Sequence, residues 1–122
     1  MSHSPWRTLS IVLLLLLLAG CATRGPSEVG VASYYSHPFH GRQTASGRTY
    51  NHNKLTAAHP TLPFGTRVRV TNLRNGRKIV LTITDRGPYA NGRIIDVSRR
   101  AARELGFWRR GITRVKVEVL RS

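Results

Sequence analysis

In 122 residues the chain has a single cysteine and only five acidic residues, and each scarcity closes off a class of answer. Cys21 has no second cysteine to pair with, so no intramolecular disulfide forms and the fold must rest on core packing and strand pairing. With Glu28, Asp85, Asp96, Glu104 and Glu118 as the full set of acids, any mechanism that draws on many carboxylates is excluded. No apolar run reaches the ~20 residues that a helix needs to cross a hydrocarbon core. The longest, residues 9–19, breaks at Gly20-Cys21. There is no internal repeat, no zinc-finger spacing and no aromatic-interleaved RNA-binding stretch, and the length leaves room for one compact domain.

The opening segment is the most informative about location. Arg7 precedes the apolar run, which is the layout of a secretory signal and assigns residues 1–20 to a signal peptide. Leu18-Ala19-Gly20-Cys21 looks like a bacterial lipobox, which implies that Cys21 carries lipid and becomes the mature N-terminus. Residues 21–28, with Gly25, Pro26 and Ser27, read as a polar lipidated tether, and residues 29–122 as the folded domain. Ala22 rather than Asp after the cysteine favours the outer membrane, with the domain facing the periplasm of the cell envelope.

Against its five acids the chain sets 20 Lys and Arg, a formal net charge of +15. Such an excess suits nucleic acid, anionic lipid or an anionic polymer. Export removes nucleic acid from that choice, leaving a solvated basic face turned to the acidic surfaces of the envelope.

Within the domain, apolar and polar residues alternate in the period of half-buried strands. Residues 29–35 form a β-prone run, residues 67–71 and 78–84 flank Asn75-Gly76 as a β-hairpin, residues 94–97 make a short strand, and Val115, Val117 and Val119 alternate with charged neighbours in the last one. Ser98 is a helix cap for a segment ending near Leu105, with Gly106 as its stop and Ala101, Ala102 and Leu105 on one side. Many short strands and one short helix predict a small all-β barrel, since closure removes open edges. Residues 36–65 are rich in His, Gly, Pro, Thr and Asn and read as a long irregular excursion of the functional kind.

Candidate chemistry follows from residue type and position. His37 and His40 have metal-pair spacing, but no cysteine or nearby acid completes a tetrahedral set, so no metal or other cofactor is expected. His59 follows the apolar stretch Leu55-Thr56-Ala57-Ala58, where a buried ring must find hydrogen-bond partners; on pattern alone it is either a core histidine or a site residue. Asp85 ends the hairpin's second strand and opens the turn-forming Asp85-Arg86-Gly87-Pro88-Tyr89, which puts a carboxylate at the barrel rim. Asp96 interrupts an apolar strand, a costly place for an acid unless it is paired or functional.

Several runs taken together are similar to the rare lipoprotein A family: Gly30-Val31-Ala32-Ser33-Tyr34-Tyr35, Phe39-His40-Gly41-Arg42-Gln43-Thr44-Ala45-Ser46-Gly47, Leu55-Thr56-Ala57-Ala58-His59, Leu62-Pro63-Phe64-Gly65-Thr66, Asp85-Arg86-Gly87-Pro88-Tyr89 and Arg93-Ile94-Ile95-Asp96-Val97-Ser98. The resemblance implies a six-stranded double-psi β-barrel and lytic transglycosylase activity. That reaction cuts the β-1,4 bond between N-acetylmuramic acid and N-acetylglucosamine of peptidoglycan glycan strands, preferably strands lacking stem peptides, and leaves 1,6-anhydro ends. It further implies Asp85, His59 and Asp96 as catalytic residues, with Thr44, Arg48, Arg86 and Tyr89 binding substrate. The partners it implies are the glycan strands, the membrane through lipid on Cys21, and cell-division or other envelope proteins. The sequence leaves the family pattern after Thr44-Ala45-Ser46-Gly47, where Arg48 and Asn51 stand in place of the usual acids. That departure keeps open a second reading, a glycan-binding envelope lipoprotein that has lost cleavage.

Overall fold

A computed structural model describes residues 26–120. The signal segment and Cys21 lie outside the described residues. Six strands close into one barrel: β1 (Ser27–Tyr34), β2 (Thr56–Ala58), β3 (Arg67–Asn72), β4 (Lys78–Asp85), β5 (Arg93–Val97) and β6 (Thr113–Val119), in the lateral order β1-β5-β2-β4-β3-β6. The β1–β5 and β2–β4 pairs are parallel, and the other four are antiparallel. Among the described residues no helix is long and apolar enough to cross a membrane.

The alternation read from the sequence fills the interior. Val68 and Val70 of β3, Leu81 and Ile83 of β4, Ile95 and Val97 of β5, and Val115 and Val117 of β6 are all buried together. Among the described residues one α-helix, α1 (Arg99–Glu104), starts at Ser98, whose side chain accepts from Ala101 N, and lays Ala101, Ala102 and Leu105 on this core. Gly106 ends it with φ +79°, and a Cβ there would come within 2.8 Å of the Asn75 side chain, so only glycine lets the chain turn against the hairpin.

Asn72, 1% exposed, ties these pieces together. Its Nδ2 donates to Leu105 O and its Oδ1 accepts from Arg74 N and Thr113 Oγ1, so both polar atoms of a buried amide in the barrel wall are satisfied.

Two expectations shift. The first strand starts at Ser27, so Ser27 and Glu28 belong to the barrel, paired with Glu118 and Val117 of β6, although their polarity reads as tether. The excursion 36–65 also contains a strand. β2 is three residues long, too short to display a period of two, yet it lies between β4 and β5 and closes the barrel.

Candidate active site

The register of β2 creates the site. Ala58 is the partner of Asp85 in β4 on one side and of Asp96 in β5 on the other, and Asp96 in turn partners Ser33 of β1. Ser33, Asp96, Ala58 and Asp85 thus form one row across four strands. At about 4.8 Å per strand the two aspartates stand about 10 Å apart at the backbone.

Asp85 is held by three donors. Its Oδ1 accepts from Ala45 N at 2.8 Å and Arg86 N at 2.9 Å, and its Oδ2 accepts from Tyr35 Oη at 2.7 Å. Each carboxylate oxygen has two acceptor sites, so Oδ1 is full and Oδ2 keeps one. The Ala45 donor comes from the turn 44–48, which is self-supporting: Thr44 N and Oγ1 both donate to Arg48 O at 2.7 Å, and Gly47, with φ +88°, allows the reversal. Ser46 N donates to Thr84 O, fastening the turn beside Asp85. The role of buried Thr44 here is to shape this turn.

Tyr35 is the site residue that sequence reasoning passed over; it sits in the quoted Gly30 to Tyr35 run without a role. Burial, the hydrogen bond to Asp85, and the charges of Asp85 and Asp96 all push its phenol well above the ordinary tyrosine range, so it remains a protonated donor at neutral pH. Its ring packs 4.4 Å from that of Tyr50 and 5.9 Å from that of Phe39. Burial raises Tyr50 as well. Asp96 accepts a hydrogen bond from Ser33 Oγ.

His59 is bound into a different set. Its Nδ1 accepts from Thr61 N and Leu62 N, both at 3.1 Å, and its Nε2 meets Glu28 Oε1 at 2.5 Å. An Nδ1 that accepts twice assigns the proton to Nε2, which donates to Glu28. The ring therefore pins the loop 59–62 to the start of β1, while its backbone N–H donates to Asp85 O. No hydrogen bond links the ring to the Asp85 carboxylate among the described residues.

Arg86 braces the same loop. Its Nη1 donates to Leu62 O at 2.7 Å and His59 O at 3.3 Å, and its guanidinium covers the Phe64 ring at 4.1 Å. Tyr89 is 79% exposed beyond the turn. Arg48 is exposed and lines a cleft of about 410 Å³ with Tyr50, Asn51, Lys54 and Thr84. A larger cleft of about 750 Å³ opens on Ser33 and Tyr35, whose hydroxyls bond Asp96 and Asp85. His40 stacks on His52 at 3.9 Å.

The sequence matches the lytic transglycolase family over residues 27–117. It is 55% identical over 91 residues to a probable endolytic peptidoglycan transglycosylase RlpA of Synechocystis, covering 75% of this chain and 28% of that protein. It is 54% identical over 96 residues to the endolytic peptidoglycan transglycosylase RlpA of Pasteurella multocida, covering 79% and 33%. The chain thus spans about a third of the length of these relatives. Among solved structures, the Streptomyces papain inhibitor superposes with a TM-score of 0.65 at 25% identity, over 80% of this chain and 97% of that one. The Clavibacter michiganensis expansin superposes with a TM-score of 0.63 at 21% identity, over 80% and 52%, a likeness of fold.

Proposed function

Since this chain belongs to the lytic transglycolase family of double-psi β-barrels, we propose that it cleaves the β-1,4 bond between N-acetylmuramic acid and N-acetylglucosamine in peptidoglycan glycan strands, leaving 1,6-anhydro ends. The observation that carries this reading is the row that sets Asp85, held by Tyr35, Ala45 and Arg86, across Ala58 from Asp96.

Hydrolysis of a glycoside normally uses two carboxyl groups, because a water molecule must be activated opposite the leaving group. Here the nucleophile is the C6 hydroxyl of the same muramyl residue, so attack is intramolecular and gains from proximity. The Asp85 carboxyl, through the free site on Oδ2, gives a proton to the glycosidic oxygen as the bond from C1 to that oxygen breaks. The C6 oxygen bonds to C1 and its proton passes to Asp85, which restores the acid. No water is consumed. Asp96, oriented by Ser33, supports the positive charge that develops on the sugar. His59 acts as a positioning residue, since its ring fixes the loop that Arg86 also holds.

The same reading attaches the chain to a membrane, with the outer membrane favoured, through lipid on Cys21; the Leu18-Ala19-Gly20-Cys21 motif supports it. Incubation of the purified chain with peptide-free glycan strands, followed by mass spectrometry, should reveal 1,6-anhydro-muramyl ends. Their absence, with binding of the strands retained, would replace the enzyme by the glycan-binding lipoprotein, the reading that Arg48 and Asn51 favour because they bring no negative charge to the cleft beside Thr84.

A further inference from the structure

The turn 44–48 that braces Asp85 also carries Arg48 onto the cleft of about 410 Å³ that it shares with Asn51, Lys54 and Thr84. A second turn builds the rest of the wall. Asn51 Oδ1 accepts from Asn53 N and Asn51 O accepts from Lys54 N, which folds the chain back so that Lys54 lines the same space as Arg48. The cleft holds cations and no anion. The five acids of the chain are all engaged elsewhere: Glu28 with His59, Asp85 with Tyr35, Ala45 and Arg86, Asp96 with Ser33, Glu104 with Arg100, and Glu118 with Lys116. None of them lines this space, and among the described residues neither Arg48 nor Lys54 has an ion-pair partner. Two like charges on one concavity disfavour each other, and an anion bound between them relieves that cost.

The position is as informative as the charge. Thr84, which precedes Asp85 in β4, lines this cleft and a neighbouring one of about 220 Å³, and Arg48 lines both. Ala45, three residues before Arg48, donates its N–H to Asp85 Oδ1. An occupant of the cleft therefore lies beside the carboxyl group that serves the glycosidic oxygen. The volume falls within the roughly 300–1,000 Å³ typical of small-ligand sites.

We propose that the cleft between Arg48 and Lys54 binds the carboxylates of an acidic stem peptide on the muramyl residue being cut, so that this chain acts on peptide-bearing strands; the assignment rests on the glycan-cleavage reading above. A stem peptide leaves the sugar at its lactyl group, and its second residue is a glutamate. At up to roughly 3.5 Å per extended residue, that glutamate lies about 7 Å from the sugar, far enough to leave the aspartate row and enter the adjoining cleft. The Arg48 guanidinium suits the two oxygens of a carboxylate, and Lys54 adds a compact second charge. A peptide-free strand gives this cleft nothing to hold, and there Arg48 contributes only its charge. The chain thus departs from the preference for peptide-free strands that the resemblance implies, and it does so where its sequence departs, at positions 48 and 51.

The test uses the full chain carrying Asp85→Asn, purified in detergent, so that binding is read without turnover. Its affinity is measured at about 0.15 M salt, where bulk charge is screened beyond roughly 8 Å, for three oligosaccharides of alternating N-acetylglucosamine and N-acetylmuramic acid. One is peptide-free, one carries L-alanyl-D-glutamate on each lactyl group, and one carries the same dipeptide with both carboxyls converted to primary amides. The diacid should bind about tenfold more tightly than the diamide, as expected for charge-assisted hydrogen bonds, and R48Q/K54Q should bind the two alike. Both side chains are exposed, so the core is untouched, and a thermal melt checks the fold. R69Q/R114Q removes the same charge from exposed positions on β3 and β6 and should keep the preference. Equal affinity for diacid and diamide, a preference that survives R48Q/K54Q, or its equal loss in R69Q/R114Q overturns the proposal. So does a peptide-free oligosaccharide that binds as tightly as the diacid. Cleavage by the chain with Asp85 intact is scored separately: 1,6-anhydro ends without a diacid preference remove the peptide site and leave the enzyme standing, while the preference without those ends does the reverse.

Discussion

Asp85→Asn keeps the size of the side chain and accepts hydrogen bonds through one oxygen, but it cannot cycle a proton. Cleavage should fall by roughly 10²–10⁴, measured as 1,6-anhydro ends per unit time, while the melting curve stays within a few degrees. Tyr35 gives an independent check at the same scale. An unfolded tyrosine loses its proton near pH 10, whereas folded Tyr35, shifted upward by burial and by its bond to Asp85, keeps it. Above about pH 10 the folded state therefore binds more protons than the unfolded one, and stability falls as pH rises. Tyr35→Phe should remove this contribution to the fall and also delete the latest-appearing phenolate absorbance in an alkaline titration. At Arg48, whose charge lines the cleft beside Thr84, a like charge opposes positive charge on the sugar. Arg48→Glu should raise the yield of 1,6-anhydro ends; an unchanged yield would put position 48 outside the chemistry.

The elements divide by how plainly their sequence speaks. β3, β4 and β6 are six to eight residues long and alternate, so their core faces could be read directly, as could α1 between its Ser98 cap and Gly106. β2 could not, because three residues with two alanines have neither period nor strong strand preference, yet its register is what aligns the two aspartates. Asp85 and Asp96 stood out as acids at a turn and in an apolar strand. Tyr35 did not, since its role comes from a hydrogen bond to Asp85, 50 residues away along the chain. Arg86 adjoins Asp85 in sequence but lies just past the end of β4, and its guanidinium holds the loop carbonyls of His59 and Leu62. The loop 59–62 is itself testable. His59→Ala leaves Thr61 N and Leu62 N without their acceptor and Glu28 without its donor, which should cost about 1–3 kcal/mol and lower the melting temperature by several degrees. Assayed well below that temperature, this variant should lose less activity than Asp85→Asn, the result that separates a positioning residue from the acid.

For the molecule as a whole, a lipid on Cys21 predicts that Cys21→Ser moves the chain from the membrane pellet to the soluble fraction, since stable attachment takes two acyl chains or an equivalent second signal. Persistence in the pellet at high salt would point to another anchor, while release by salt alone would credit the +15 charge. The row Ser33, Asp96, Ala58 and Asp85 draws on four strands from β1 to β5, so no hairpin, half-barrel or proteolytic fragment contains it. Competence is therefore a property of the sealed cylinder and has no partial form. As the chain is heated, turnover and the β-sheet signal should vanish along one curve with one midpoint, so a catalytic assay would count closed barrels molecule by molecule.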